Sequence, residues 1–129
     1  MSVTAGTFLR LTDQGDGWFP LAPAGGIRGQ VIATLPATDA GGPFYLLKLD
    51  AALERQEAAA DTPSGLRLQI YDRLVVRSRW SGVPIDGPQS VSVLVFLVPE
   101  ASVAPTSVQE CLNLPVSAWA ACIVEDTCA

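Results

Sequence analysis

Glycine and proline cut this chain into short segments, and within most of those segments apolar residues recur at every second position. Eleven glycines and ten prolines fall across 129 residues, leaving runs the length of strands rather than of long helices. Thr7 to Thr12 alternates and ends in Asp13-Gln14-Gly15-Asp16-Gly17, a turn by composition. Trp18 and Phe19 follow, then a loop through Pro20, Pro23, Gly25 and Gly26. Ile27–Leu35 reads as a second strand, 36–43 as another turn, and Phe44–Leu49 as a third strand. The crossover helices that parallel strands require are missing, so the expectation is an antiparallel sheet.

Two further segments extend the pattern. In Leu66–Trp80, Leu68, Ile70, Leu74, Val76 and Trp80 occupy even positions, while Arg67, Gln69, Tyr71, Arg73, Arg77 and Arg79 occupy odd ones. Period-two alternation predicts opposite faces for the two sets, with Val75 the apolar exception and Asp72 placed for a bulge. Val91–Val98 is apolar on both faces, as expected of a central strand or a subunit contact. Between the third and fourth strands, Asp50–Ala60 has an N-cap candidate and good helix formers but only Leu53 to bury, which predicts a solvated helical turn or a loop. Ser117–Glu125 fits a short helix or a final strand equally well.

Composition removes whole classes of function. Hydrophobic residues make up 49% and charged ones 16%, the latter well below the usual quarter, so disorder over the full length is excluded. There is no histidine, which rules out Ser–His–Asp and Cys–His nucleophile systems and His-ligated metals. Lys48 is the single lysine. A net charge of −5 argues against a DNA partner. Mean hydropathy is +0.32, which points to an apolar contact surface. The first six residues lack a basic segment followed by an apolar run, and no apolar stretch is long enough for a membrane helix, so a cytoplasmic protein is expected.

Around Gly29-Gln30-Val31-Ile32, Pro43-Phe44-Tyr45-Leu46-Leu47-Lys48-Leu49-Asp50 and Gln69-Ile70-Tyr71, the chain resembles SH3-like small barrels. Leu68-Gln69-Ile70-Tyr71 is similar to the Val-Gln-Ile-Tyr stretch that lines the active pore of the plasmid-borne type II dihydrofolate reductases. The resemblance spans roughly residues 27–80 and implies a fold. Residues 51–65, the arginine-bearing stretch Leu74–Trp80 and about fifty further residues depart from that family, and its reductase activity is not carried over.

Several local features carry the chemistry of a candidate site. Residues 67–79 hold four arginines and one aspartate. Arg73, Arg77 and Arg79 with Tyr71 and Gln69 form a candidate face for a small anionic ligand or, less readily, single-stranded RNA. The plainer reading is a row paired with neighbouring carboxylates, for which the acidic segment from Trp80 onward is the natural source. Asp13–Gly17 lacks the oxygens of a calcium loop, and Gly25–Gly29 lacks the context of a phosphate cradle. Cys111, Cys122 and Cys128 have no zinc-finger spacing, and Cys122 reads as a small buried hydrophobe. Trp18 and Trp80 read as core or rim aromatics.

The resulting expectation is an all-β chain: a small SH3-like antiparallel barrel of about five strands over 1–105, with a C-terminal extension over 106–129 packing on the barrel or on a neighbouring subunit. Its expected role is a non-catalytic interaction or assembly module, associating with itself as a homo-oligomer or with another protein through Val93, Val95, Leu97 and Trp80. The alternative is a binder of small molecules or anions, an enzyme among them, at the Arg73, Arg77 and Arg79 face. No catalytic residue, metal or cofactor is assigned.

Overall fold

The computed structural model describes residues 3–12, 26–36, 42–80, 83–85, 87, 89–114 and 117–125. The turn expected at Asp13–Gly17, together with Trp18, Phe19 and Cys128, lies outside them. Six strands form one closed antiparallel ring in chain order: β1 (Phe8–Thr12), β2 (Ile27–Leu35), β3 (Phe44–Ala58), β4 (Leu66–Ser78), β5 (Val91–Pro99) and β6 (Ser117–Glu125). One short helix, α1 (Val108–Leu112), precedes β6. The count is six rather than about five. Part of the segment expected as an extension, 106–129, supplies β6, which pairs with both β5 and β1 and closes the ring. Pairing on both sides removes the exposed edge that a terminal strand would otherwise present.

Alternation fills the ring. Leu9, Leu11, Val31, Leu47, Leu74, Val76, Val93, Val95 and Leu97 are essentially inaccessible and share one cluster. A six-stranded ring is narrower than the eight-stranded barrels whose interiors side chains just fill, so some staves must carry small residues. β6 does so: Ala118, Ala120 and Cys122 lie opposite Val95, Val93 and Val91 of β5. Each fully buried leucine or valine contributes about 1.5–3 kcal/mol, and the interior is hydrophobic throughout. Val93, Val95 and Leu97, expected at an intermolecular contact, therefore spend their side chains inside the barrel.

The outer face of β3, β4 and β5 carries a second apolar layer of Phe44, Leu46, Val75, Phe96 and Val98. Residues 104–114 cover it, with Cys111 fully buried and Ala104, Val108 and Leu114 packed alongside. This explains why Val91–Val98 is apolar on both sides. Ser107 caps α1 by accepting from the Glu110 N–H at 3.2 Å. Glu110 in turn accepts from the N–H and hydroxyl of Thr106 at 2.6 and 2.9 Å, and these bonds hold its carboxyl below the usual carboxylate range.

Two register shifts set which face each residue occupies. One lies between Val31 and Ala33, after which Ala33 and Leu35 join the outer layer. The other surrounds Asp72, where β4 slips against both β3 and β5. A bulge inverts the alternation. Tyr71 thus points inward with Leu74 and Val76, whereas Leu68 and Ile70 share the opposite side of the sheet. The sequence pattern had grouped Leu68 and Ile70 with Leu74 and Val76, as an unbroken period would.

Candidate interaction surface

The helical signal at Asp50–Ala60 is overridden by pairing. β3 continues to Ala58 and forms a hairpin with β4, in the register Leu53↔Tyr71, Glu54↔Ile70, Arg55↔Gln69, Gln56↔Leu68, Glu57↔Arg67 and Ala58↔Leu66. The turn is closed by Ala59 N–H to Gly65 O at 2.9 Å and Gly65 N–H to Thr62 O at 3.1 Å. Gly65 sits at φ +72°, a left-handed position that suits glycine. A helix here would have only Leu53 to bury, whereas the hairpin satisfies a ladder of main-chain groups.

The hairpin runs past the barrel as a two-stranded arm. β2 pairs with β3 only as far as Leu49, so among the described residues β3 has no second neighbour from Asp50 to Ala58. The outer edge of β4 is treated differently. The Ile70 carbonyl accepts from the Glu100 N–H at 2.9 Å. The Leu66 carbonyl accepts from the hydroxyls of Thr62 and Ser64, and its N–H donates to Ser64 Oγ. Among the described residues, the β4 edge of the arm is partly occupied and the β3 edge has no strand paired to it.

The arm's two faces also differ. One carries Leu66 and Leu68, 49% and 48% exposed. The other carries Arg55, Glu57, Gln69 and Tyr71. The Tyr71 ring is buried at the barrel mouth and its hydroxyl donates to Glu57 Oε2. Burial first, and this bond second, push the phenol up to about 12. Arg55 Nε lies 3.8 Å from Glu57 Oε2, and Arg67 is paired with Asp61 near the turn.

The expected arginine face does not assemble as one site. Arg73 donates to the carbonyls of Pro99 at 3.0 Å and Ser102 at 2.6 Å, and its Nε is 3.1 Å from Asp72 Oδ1. Arg77 is buried, with its guanidinium 4.7 Å from the Phe44 ring centre. Arg79 lies 3.2 Å from the Trp119 ring centre and 4.6 Å from that of Trp80. Tyr71 and Gln69 stand on the other side of the sheet, separated by the Asp72 bulge. Trp80 remains 54% exposed.

The acidic tail finds different partners from those expected. Arg10 and Arg28 face each other across β1 and β2, a like-charge pairing that needs a counter-ion. Glu125 supplies it, bonding Arg10 through both oxygens and lying 2.8 Å from Arg28 Nε. Arg28 also reaches Asp50 at 2.7 Å and stacks 3.8 Å from the Phe8 ring centre. The hydrogen bond from Arg10 holds the Glu125 carboxyl below its ordinary range. The cluster fastens the closing strand to β1, β2 and β3.

Other surfaces offer less chemistry. A groove of about 460 Å³ runs between the end of β2 and α1, lined by Leu35, Pro36, Thr106, Val108, Gln109 and Leu112 among others, and none of its described lining residues has an ionisable side chain. Among the described residues no group of three or more Asp, Glu or Cys side chains is placed to hold a metal, and no helix is long and apolar enough to cross a membrane. Cys111 and Cys122 are buried and free, and burial pushes their thiols up to about 11 and about 12.

The arm is the element that sequence reasoning missed. Its signal was present: Leu66-Arg67-Leu68-Gln69-Ile70 alternates behind the turn composition Asp61-Thr62-Pro63-Ser64-Gly65. A strand entering such a turn calls for a partner leaving it. A scan against protein-family models, a search of curated proteins and a search of solved structures each returned no match to this chain.

Proposed function

We propose that this chain is a non-catalytic interaction module whose contact element is the β3–β4 arm. The observation that carries the reading is the arm itself: a two-stranded ribbon beyond the barrel, with Leu66 and Leu68 half exposed and, among the described residues, no strand paired to the β3 edge from Asp50 to Ala58. Isolated two-stranded ribbons are marginal in water, and open edges are templates for another strand. The side chains first expected to mediate contact, Val93, Val95 and Leu97, belong to the barrel core. Exposed Trp80 stands as a secondary contact. Two buried, free thiols suit a reducing compartment, in keeping with action in the cytoplasm.

The test pairs light scattering on the purified chain with affinity capture from a native lysate, using wild type and the variant Leu66→Ser/Leu68→Ser. Both positions are exposed, so the variant keeps the wild-type melting temperature; it loses association made through the Leu66 and Leu68 face, whereas association made through the β3 edge is lost on placing a proline there. A chain that stays monomeric and captures nothing refutes the reading. So does association that survives both substitutions and an edge-blocking proline.

A further inference from the structure

The edge of β3 that no described strand pairs has a sequence that matches itself, and we infer that the occupant of the arm is a second copy of this chain, paired antiparallel along β3 with Gln56 at the two-fold axis. The inference rests on the interaction reading above and names its partner. Its starting point is the direction of the main chain. The Ile70 carbonyl reaches Glu100 and so points away from β3. Opposite residues of an antiparallel ladder either face each other or both face away, so Glu54, the register partner of Ile70, turns its N–H and C=O to the open side. Gln56 and Ala58 follow with period two.

An antiparallel partner must set outward-facing residues opposite outward-facing ones, which restricts a two-fold pairing to registers centred on a residue. Centring on Glu54 opposes two glutamates, on Arg55 two arginines, and on Glu57 two glutamates again. Centring on Gln56 places Arg55 opposite Glu57 of the second copy, and by symmetry does so twice. Gln56 then faces Gln56, and Glu54 faces Ala58. Among these four registers it alone forms cross-strand ion pairs and sets no like charges opposite each other. Opposite charges across a strand pair stabilise and like charges destabilise.

Local geometry agrees. Arg55 and Glu57 are only partly exposed, at 40% and 30%, and stand 3.8 Å apart along their own strand. Two copies would interleave them as an alternating square of charge. The product is a four-stranded sheet, β4-β3-β3-β4, in place of two marginal ribbons. Contact is isologous, so each edge satisfies the other.

Size-exclusion chromatography with light scattering tests this on the full chain, using Arg55→Glu, Glu57→Arg, an equimolar mixture of the two, and Gln56→Pro. Wild type is expected to run with the mass of two chains. Each single charge reversal sets like charges opposite each other twice and raises the dimer Kd about tenfold or more. The mixture restores two-chain mass, because each variant supplies the charge its partner lacks. Gln56→Pro removes a donor that faces outward, leaves the β3–β4 ladder intact, and abolishes the dimer. Circular dichroism on every variant confirms that the barrel is folded, which matters for Glu57 because it accepts from Tyr71.

A wild type that runs as one chain overturns the second-copy inference; the broader interaction reading falls only if that chain also captures nothing from a lysate. A dimer that ignores both charge reversals, or a mixture that stays monomeric while the wild type dimerises, overturns the register.

Discussion

Replacing Arg73 with alanine separates an anion-binding arginine row from a structural one. Its guanidinium ties β4 to the start of the covering segment through the Pro99 and Ser102 carbonyls. The more distant Glu100 carbonyl, at 3.5 Å, contributes little at that length. A hydrogen bond with a charged donor is worth about 1.5–3 kcal/mol, but Ser102 is exposed and water will satisfy its carbonyl in the variant. About 1 kcal/mol for each bond, with a little more for the lost packing of the side-chain stem, gives a loss of about 2–3 kcal/mol. For 129 residues the unfolding entropy is about 0.27 kcal/mol/K, so the melting temperature should fall by about 7–11 °C. Urea unfolding measures the loss directly, and the slope should stay at its wild-type value because the fold is unchanged. Exposed Lys48, the register partner of Arg73 on β3, serves as control, with Lys48→Ala expected within about 0.5 kcal/mol of wild type. A loss below about 0.5 kcal/mol for Arg73→Ala would refute the reasoning. So would wild-type stability rising by about 2.7 kcal/mol at a phosphate concentration of a hundred times its Kd, a rise absent from the variant, since that is the linkage expected of an anion site.

Three further outcomes are expected. Gly26 combines φ +87° with a position where a Cβ would stand 2.4 Å from the Leu11 carbonyl oxygen; Gly26→Ala should cost more than about 2 kcal/mol in urea unfolding, and a cost near zero would show that the β1–β2 junction yields. Cys111 and Cys122 should resist thiol reagents in the native state and react on unfolding, because burial raises both thiols to about 11 and about 12; native-state labelling of Cys122 at the rate of a free thiol, located by mass spectrometry, would contradict its place in the barrel. Glu110 and Glu125 have folded pKa values below their ordinary ones, so their stabilising effect is present above the normal carboxylate range and is lost as pH falls through it; Glu125→Gln should flatten that acid limb of a stability profile, and an unchanged limb would count against the Arg10 and Arg28 cluster.

The barrel was legible where period-two alternation ran unbroken. Ile27–Leu35, the first part of β3 and Val91–Val98 gave their strands directly, and glycine and proline marked the turns between them. Legibility failed where a tertiary partner decided the outcome. Asp50–Ala58 carries helix-forming residues, yet a hairpin ladder outweighs a propensity worth tenths of a kcal/mol per residue. Ser117–Glu125 is ambiguous by period, and only the gap between β5 and β1 makes it a strand. Asp72 on an apolar face signals a bulge, but the alternation alone does not show that the register shifts there and exchanges the faces of the residues on either side. Tyr71 and Gln69 therefore parted from Arg73, Arg77 and Arg79, and the grouping proposed from alternation dissolved. The apolar character of Val91–Val98 admitted both a central strand and a contact surface; the layer at 104–114 that covers its outer face is not periodic and left no mark in the sequence.

If a second copy pairs along β3 as proposed, the uneven treatment of the arm's two margins limits the contact to two chains. On β4, the hydroxyls of Thr62 and Ser64 and the Glu100 N–H already occupy main-chain groups of Leu66 and Ile70, on either side of Leu68. Among the described residues, the arm would then add a strand on the β3 side, and growth would end after a single event. A ribbon open on both margins would instead accept neighbours without limit and propagate as a fibre. On the second-copy reading, two small side chains in a seven-residue turn help to terminate growth, and replacing Thr62 and Ser64 with alanine would free the main-chain groups of Leu66 for a further strand.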